Sequence, residues 1–214
     1  MNTTHAIIAA SLRWMHILFG IIWLGHLYFF NFVQANYEKS LTPDIKKAVV
    51  PQIRGRALWW FRWGAMITLA TGLFYLIYEQ LIAGDRGFRD WFSVSSDRWI
   101  TFGMTLGAIM WFNVWFVIWP RQRVILASLA GQREKPADFD ALVATAGKVS
   151  KINTYLSLPM LFGMGARQHF AMKSATGDLI MMAVVLLVGV AIAVHLVLHI
   201  APKVGREFVQ GEKT

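Results

Sequence analysis

The sequence predicts an all-α, polytopic integral membrane protein: a single domain, residues 1–214, with about five transmembrane helices. Charged residues make up only 15% of the chain and hydrophobic residues 56%, whereas soluble domains usually carry about 25% charged residues. Apolar runs long enough to cross a bilayer, about 20 residues each, recur along the chain. The alternating pattern of a membrane β-barrel does not accompany them.

Five runs qualify as spans. The first contains one charge, Arg13, near its start, and the second contains only Glu79. The third is free of charges, and we expect it to end at Pro120. The fourth is the weakest, because Pro159 and Arg167 interrupt it. The predicted spans are Ala6–Val33, Gly64–Ala83, Trp99–Trp119, Ile152–Met172 and Leu179–Ala201.

The connections predict the orientation. Fourteen Lys and Arg residues fall on the side of the C-terminus and six on the other side. The positive-inside rule therefore places the N-terminus outside and the C-terminus in the cytoplasm of a bacterial inner membrane. The segment 138–150 has apolar residues near helical spacing and is expected to extend the fourth helix. The segment 87–96, with aromatic residues among charges, is expected to lie in the interface.

Composition also excludes several functions. The formal charge is +9, but the basic residues lie in short loops rather than on one amphipathic face, so nucleic acid is not an expected partner. The expected partners are membrane lipids and a membrane-protein or cytochrome partner. Because the chain has no Cys, it has no disulfides, thiolate metal sites or covalently attached c-type haem.

Histidines carry the candidate chemistry, because ionisable residues inside membrane helices are costly and commonly functional. With a rise of about 1.5 Å per residue, His26, His195 and His199 share an inner level roughly 8–14 Å from the midplane. His16 and His169 belong to the outer half. Each of these five is a candidate for cofactor binding.

Neutral imidazoles on facing helices are the usual axial ligands of b-type haem in a helical bundle. We therefore expect haem b, with its iron held through His16, His26 and His195. Gly20, one turn from His16, would leave room for a porphyrin. Two alternatives stay open: a three-histidine zinc or copper site, and histidines that only hydrogen-bond between helices. Packing is expected at the G-x-x-x-G pair Gly103 and Gly107.

Four ordered motifs resemble the urate oxidase N-terminal family, the membrane domain of bacterial urate hydroxylase. They are Leu12–His16 with Gly20, Trp23, Gly25 and Tyr28–Gln34; Trp60–Ala65 with Thr71-Gly72; Phe112–Trp115 with Ile118–Pro120; and Asn153-Thr154 with Ser157–Met160, running to Met164-Gly165.

The resemblance implies a multi-helix inner-membrane domain associated with electron transfer, and it supports His16 and His169 as site residues. Full-length members end in a periplasmic cytochrome c domain. This sequence stops at Thr214 and has no Cys, so we do not expect urate oxidation from this chain by itself.

Three functions are weighed. The first is a b-haem membrane protein of electron transfer, which as an enzyme would be a membrane oxidoreductase. The second is a non-catalytic accessory or structural subunit of a larger respiratory, photosynthetic or oxygenase complex. A transporter ranks third, because the chain is small and lacks repeated halves.

Overall fold

The structure is a computed structural model that describes residues 3–82, 94–166 and 174–205. These residues form five long helices, and no strand occurs among them. Several helices contain a π-helical stretch. The helices are α1 (Thr3–Tyr28, then π-helical Phe29–Gln34, then Ala35–Ser40), α2 (Pro43–Ile77, then π-helical Tyr78–Ile82), α3 (Ser95–Phe112, then π-helical Asn113–Ile118, then Trp119–Leu129), α4 (Phe139–Ala166) and α5 (Ala175–His195, then π-helical Leu196–Ile200).

The predicted membrane character is confirmed. Four helices, α1, α2, α3 and α5, are long and apolar enough to cross a membrane. Helix α4 has 28 residues, which is also long enough to span. Its lower hydropathy has a physical reason, since it carries Asn153, Thr154 and Ser157, all fully buried against neighbouring helices. Polar residues that a neighbour satisfies are tolerated inside a membrane bundle.

The helices extend beyond the predicted spans. The connection between α1 and α2 is short, since α2 begins at Pro43 and the basic segment before residue 64 is helical. Helix α4 begins at Phe139, as expected for an extension of the fourth helix. The expected outer end of that helix at residues 167–172, and most of the expected interfacial segment 87–96, lie outside the described residues.

The expectation that the third helix ends at Pro120 is wrong, because α3 continues to Leu129. Proline inside a helix removes one N–H and clashes with the carbonyl four residues earlier. In α3 the π-helical stretch Asn113–Ile118 comes directly before it. Such a stretch changes the hydrogen-bond register locally, so the helix accommodates the ring and goes on.

Helix α4 lies at the centre of the bundle, where it contacts α1, α3 and α5. A Cβ built on Gly163 of α4 would lie 2.9 Å from the Gly103 nitrogen of α3, so the two backbones almost touch. Gly107 makes an ordinary contact, 3.9 Å from its Cβ position to Met160 Cγ. On the other side, a Cβ on Gly189 of α5 would lie 2.8 Å from Pro159 Cδ. Small residues thus set the close crossings, as membrane helix packing favours.

Helices α1 and α2 form a second tight pair. A Cβ on Gly64 of α2 would lie 3.1 Å from the Trp23 nitrogen, and a Cβ on Gly72 would lie 2.9 Å from the His16 ring. A Cβ on Gly20 would lie 3.9 Å from Thr68 Cγ2. Gly20 therefore faces α2 at ordinary contact distance.

Buried hydrogen bonds fix α4 against its neighbours. Asn153 donates to the Met110 carbonyl at 2.9 Å and accepts from Asn113 at 2.8 Å. Asn31 donates to Ser150 Oγ at 2.9 Å. These bonds satisfy the asparagines that the sequence places within membrane helices, so their role is to fix the helix register.

Candidate functional site

A shallow, open groove of about 550 Å³ lies between α1 and α2. One wall is α1, with His26 and Gly25, and the other is α2, with Arg56 and Trp60. Most of the remaining lining is aliphatic or aromatic. Nothing lies within 4 Å of a Cβ built on Gly25, so a flat ligand can approach the α1 backbone there.

His26 is half-buried and its ring orientation is fixed. Its Nδ1 lies 2.7 Å from the Ile22 carbonyl oxygen, one turn earlier in the same helix. Because a carbonyl only accepts, Nδ1 donates this bond, and in the neutral imidazole Nε2 then carries the lone pair. Metal-binding histidines commonly show this pattern, in which the second ring nitrogen donates to a carbonyl and sets the tautomer.

Arg56 places a positive charge in the groove. Its Nη1 donates to the Gln52 carbonyl at 2.9 Å, which holds the side chain along α2. The residue is exposed, and its remaining N–H groups can bind a carboxylate or phosphate. The groove therefore combines apolar walls, one imidazole and one guanidinium.

His16 lies away from that groove, between α1 and α2. Its Nδ1 donates to the Thr68 carbonyl at 2.8 Å. The ring packs directly on Gly72, which has no side chain to displace it. His16 therefore joins the two helices by a hydrogen bond, and its Nδ1–carbonyl contact is of the same kind as that of His26.

His195 and His199 face away from the bundle. Both are exposed, whereas Ala193 and Val197 of the same helix are buried. The two imidazole centroids are 5.3 Å apart, as expected for residues four positions apart in a helix. His199 lies in the π-helical end of α5, which contacts the π-helical stretch of α1.

The predicted histidine set is thus divided over three places: the groove, the α1–α2 contact and the outer face of α5. His169 lies outside the described residues. In the part of the chain that the structure describes, no three His, Asp or Glu side chains come together in a way that could hold a metal ion.

Sequence reasoning missed an ion pair between α3 and α5. Asp178 is fully buried and accepts from Arg98 Nε at 2.8 Å and from Trp99 Nε1 at 3.0 Å. In the sequence, Arg98 is one of the six Lys and Arg residues predicted on the side opposite the C-terminus. The sequence did contain an indication of this pair, because Asp178 lies in the first turn of an apolar helix and charged residues in membrane helices are usually paired.

The sequence around Arg62, with Trp59, Trp60 and Trp63, predicts a side chain that extends to the membrane surface. The structure stacks its guanidinium on aromatic rings instead, with Cζ 3.9 Å from the Trp119 ring centroid, 5.1 Å from that of Trp115 and 5.5 Å from that of Trp63. The signal was the spacing of four between the two α3 tryptophans, which puts both on one helix face.

Comparison with known proteins gives a family. The model described as "Urate oxidase N-terminal" matches residues 80–210, more than half of the chain. No curated protein and no solved structure matches significantly. The matched range contains the Phe112–Pro120 and Asn153–Gly165 motifs of the resemblance, while the two earlier motifs precede it. The chain is a helical protein with membrane-spanning character that belongs to the urate oxidase N-terminal family.

Proposed function

We propose that this chain is a b-type haem protein of the bacterial inner membrane that takes part in electron transfer. The observation that carries the proposal is the His26 groove, an open apolar surface in which one imidazole donates from Nδ1 to a carbonyl and, when neutral, keeps its lone pair on Nε2. An imidazole of this kind is the common protein ligand of haem iron.

The residues fit the chemical parts of haem b. The apolar walls of the groove suit the porphyrin face, and Gly25 leaves its backbone accessible. Arg56 lies in the same groove and suits a propionate, since a guanidinium binds carboxylates with two N–H groups. The bound group would supply one-electron chemistry at iron, and the protein would supply the axial nitrogen, the low polarity and the counter-charge.

His26 is the ligand that the groove favours among the predicted set. His16 contributes to the α1–α2 contact through its bond to Thr68. His195 lies on the outer, exposed face of α5, and would need a group outside the bundle to complete a site. A haem in the groove would therefore be held by one histidine of the described residues, His26.

The test compares the absorbance spectrum and haem content of two histidine variants. We expect the wild-type chain, purified from haem-replete cells, to show a reduced-minus-oxidised b-type band. His26→Ala should lose most of it. His5→Ala is the matched control, because His5 lies at the other end of α1, near Tyr78, with Nδ1 3.3 Å from the hydroxyl.

Equal haem content in both variants and the wild type would refute the His26 assignment. Arg56→Gln gives a second reading, because it removes the counter-charge of the groove and keeps the imidazole. It should weaken haem retention less than the loss of the axial ligand does. Retention of haem in His26→Ala together with loss in His16→Ala would move the site to the α1–α2 contact.

A second candidate function is an accessory subunit of a larger membrane complex. The observation that favours it is the outward face of α5, where His195 and His199 are exposed among apolar residues. Imidazoles facing lipid are costly, and a partner subunit would bury them. A colourless chain that co-purifies with other subunits in fixed ratio, and loses them in His195→Leu, would support this function over the first.

A further inference from the structure

A charged site lies between α2 and α3, separate from the His26 groove. Arg62 of α2 projects over α3, where Trp115 and Trp119 lie one helical turn apart, and Trp63 completes the surround. We call Arg62 with these three tryptophans the Arg62 cage. The contact between Trp63 and Trp115 is edge-to-face, with ring centroids 5.6 Å apart, so the cage is itself packed.

The cage contains donors that lack acceptors. Arg62 Nε and Trp115 Nε1 are both buried, and neither has a hydrogen-bond partner within the described ranges. The ion pairs found within these ranges join other residues, so none of them supplies a carboxylate to Arg62. Buried donors normally find an acceptor, so these two N–H groups leave a need for an oxygen acceptor beside the Arg62 cation.

Stacking prepares the guanidinium for such a ligand. A planar guanidinium that lies on an indole keeps its N–H groups in its own plane, and the ring contact reduces the freedom lost when they bind. Arg62 Cζ is 3.9 Å from the Trp119 ring centroid. The arrangement therefore favours a compact anion with several oxygens, to which a guanidinium donates two parallel bonds.

The position of the cage selects among such anions. Arg62 lies just before the apolar run 64–83 of α2, and Trp119 is the last residue of the charge-free run 99–119 of α3, which a basic stretch follows. Tryptophan and arginine at this level occupy the membrane–water interface, where lipid phosphates lie. Basic residues at the same end of the bundle, such as Arg121 and Arg123, raise the local concentration of anionic lipid.

We propose that the Arg62 cage binds the phosphate of an anionic phospholipid headgroup. Arg62 forms the charge-assisted bonds to the phosphate oxygens, Trp115 Nε1 donates a further bond, and the tryptophan rings pack on the glycerol and upper acyl region. The site holds a lipid beside α2 and α3 and is independent of haem binding, so it stands or fails separately from the proposed function.

The test uses the full chain, purified and delipidated in a neutral maltoside detergent, with bound lipid counted by native mass spectrometry. The probes are dioctanoyl phosphatidylglycerol and, as the neutral-headgroup comparison, dioctanoyl phosphatidylcholine. We expect phosphatidylglycerol to bind the wild type in preference to phosphatidylcholine. Arg62→Gln should weaken that binding by at least about tenfold, as loss of a charge-assisted bidentate contact does.

Arg123→Gln is the matched control, because it removes the same charge from an exposed residue at the same end of the bundle. It should change the affinity by less than about threefold, the scale of a screened surface charge. Equal losses in the two variants, or none in Arg62→Gln, would overturn the proposal. Displacement of the lipid by millimolar inorganic phosphate would overturn the assignment to a lipid and leave a free-phosphate site.

If Arg62→Gln does not fold, two milder variants decide. Arg62→Lys keeps the charge and loses the planar fork, and Trp115→Phe keeps a ring and loses the N–H group. Each should bind phosphatidylglycerol several-fold more weakly than the wild type, and unchanged binding in both would overturn the proposal. The melting temperature of each purified variant, from tryptophan fluorescence, verifies that it is folded.

Discussion

Replacement of Gly163 by alanine tests the close crossing of α3 and α4. The added Cβ would lie 2.9 Å from the Gly103 nitrogen, 2.9 Å from Phe102 Cδ1 and 3.0 Å from the Gly103 Cα. Two of these atoms belong to the backbone, so no side-chain rotation relieves both contacts. The helices must separate by roughly 0.5 Å to restore ordinary contact distances near 3.5 Å.

The change in the free energy of unfolding on Gly163→Ala results from two opposed effects. Overpacking in a close-packed interior costs about 1–3 kcal/mol. Alanine in place of glycine gains roughly 0.8–1.0 kcal/mol of helix propensity. Gly165→Ala on the same helix supplies the control, because nothing lies within 4 Å of its Cβ position. Both variants receive the propensity gain, so Gly163→Ala should be less stable than Gly165→Ala by about 1–3 kcal/mol.

The assay is reversible unfolding of the purified chain in mixed micelles with increasing dodecyl sulfate, followed by tryptophan fluorescence. A Gly163→Ala variant as stable as Gly165→Ala would refute the crossing. Gly103→Ala gives an independent reading, since its Cβ would lie 2.9 Å from the Met164 nitrogen. The double variant Gly103→Ala/Gly163→Ala should lose less stability than the sum of the losses in the two single variants, because one separation of the helices relieves both contacts.

Two further predictions use the same unfolding assay. Asn153→Leu removes the bond to the Met110 carbonyl and should lower the free energy of unfolding by about 1–2 kcal/mol, the upper range for hydrogen bonds between membrane helices. Asn36→Leu removes a bond within its own helix and should lower it by less. Equal losses of stability in the two variants would contradict the interhelical role of Asn153. Asp178→Asn removes the charge that faces Arg98 and should cost about 3 kcal/mol, the scale for breaking a buried ion pair; a loss below about 1 kcal/mol would show that the pair does not hold α3 to α5.

The fold was largely predictable because lipid imposes a simple requirement. A chain that crosses the bilayer needs long apolar helices, so composition and run length alone predict the five long helices. The helical segment before Gly64 escaped because its charges resemble those of a loop. Pro120 was misleading because the rule that proline ends a helix assumes regular α-helical hydrogen bonds before it, whereas a π-helical stretch precedes Pro120 in α3.

The candidate site was less predictable because depth along a helix does not specify direction around it. His26 and His195 were matched by level, yet His26 lines the groove and His195 faces outward. A similar limit applies to packing. The sequence predicts a close helix contact at Gly103, but only the three-dimensional arrangement shows that Gly163 is its partner.

The proposed binding of haem b by this membrane chain is tested most directly by the amount of haem per polypeptide. The full chain, expressed with haem precursor and purified in detergent, is assayed by pyridine haemochrome against protein mass. We predict a b-type spectrum in a fixed ratio to the chain that persists through gel filtration. A folded preparation without haem, which also fails to take up added haemin, would contradict the account.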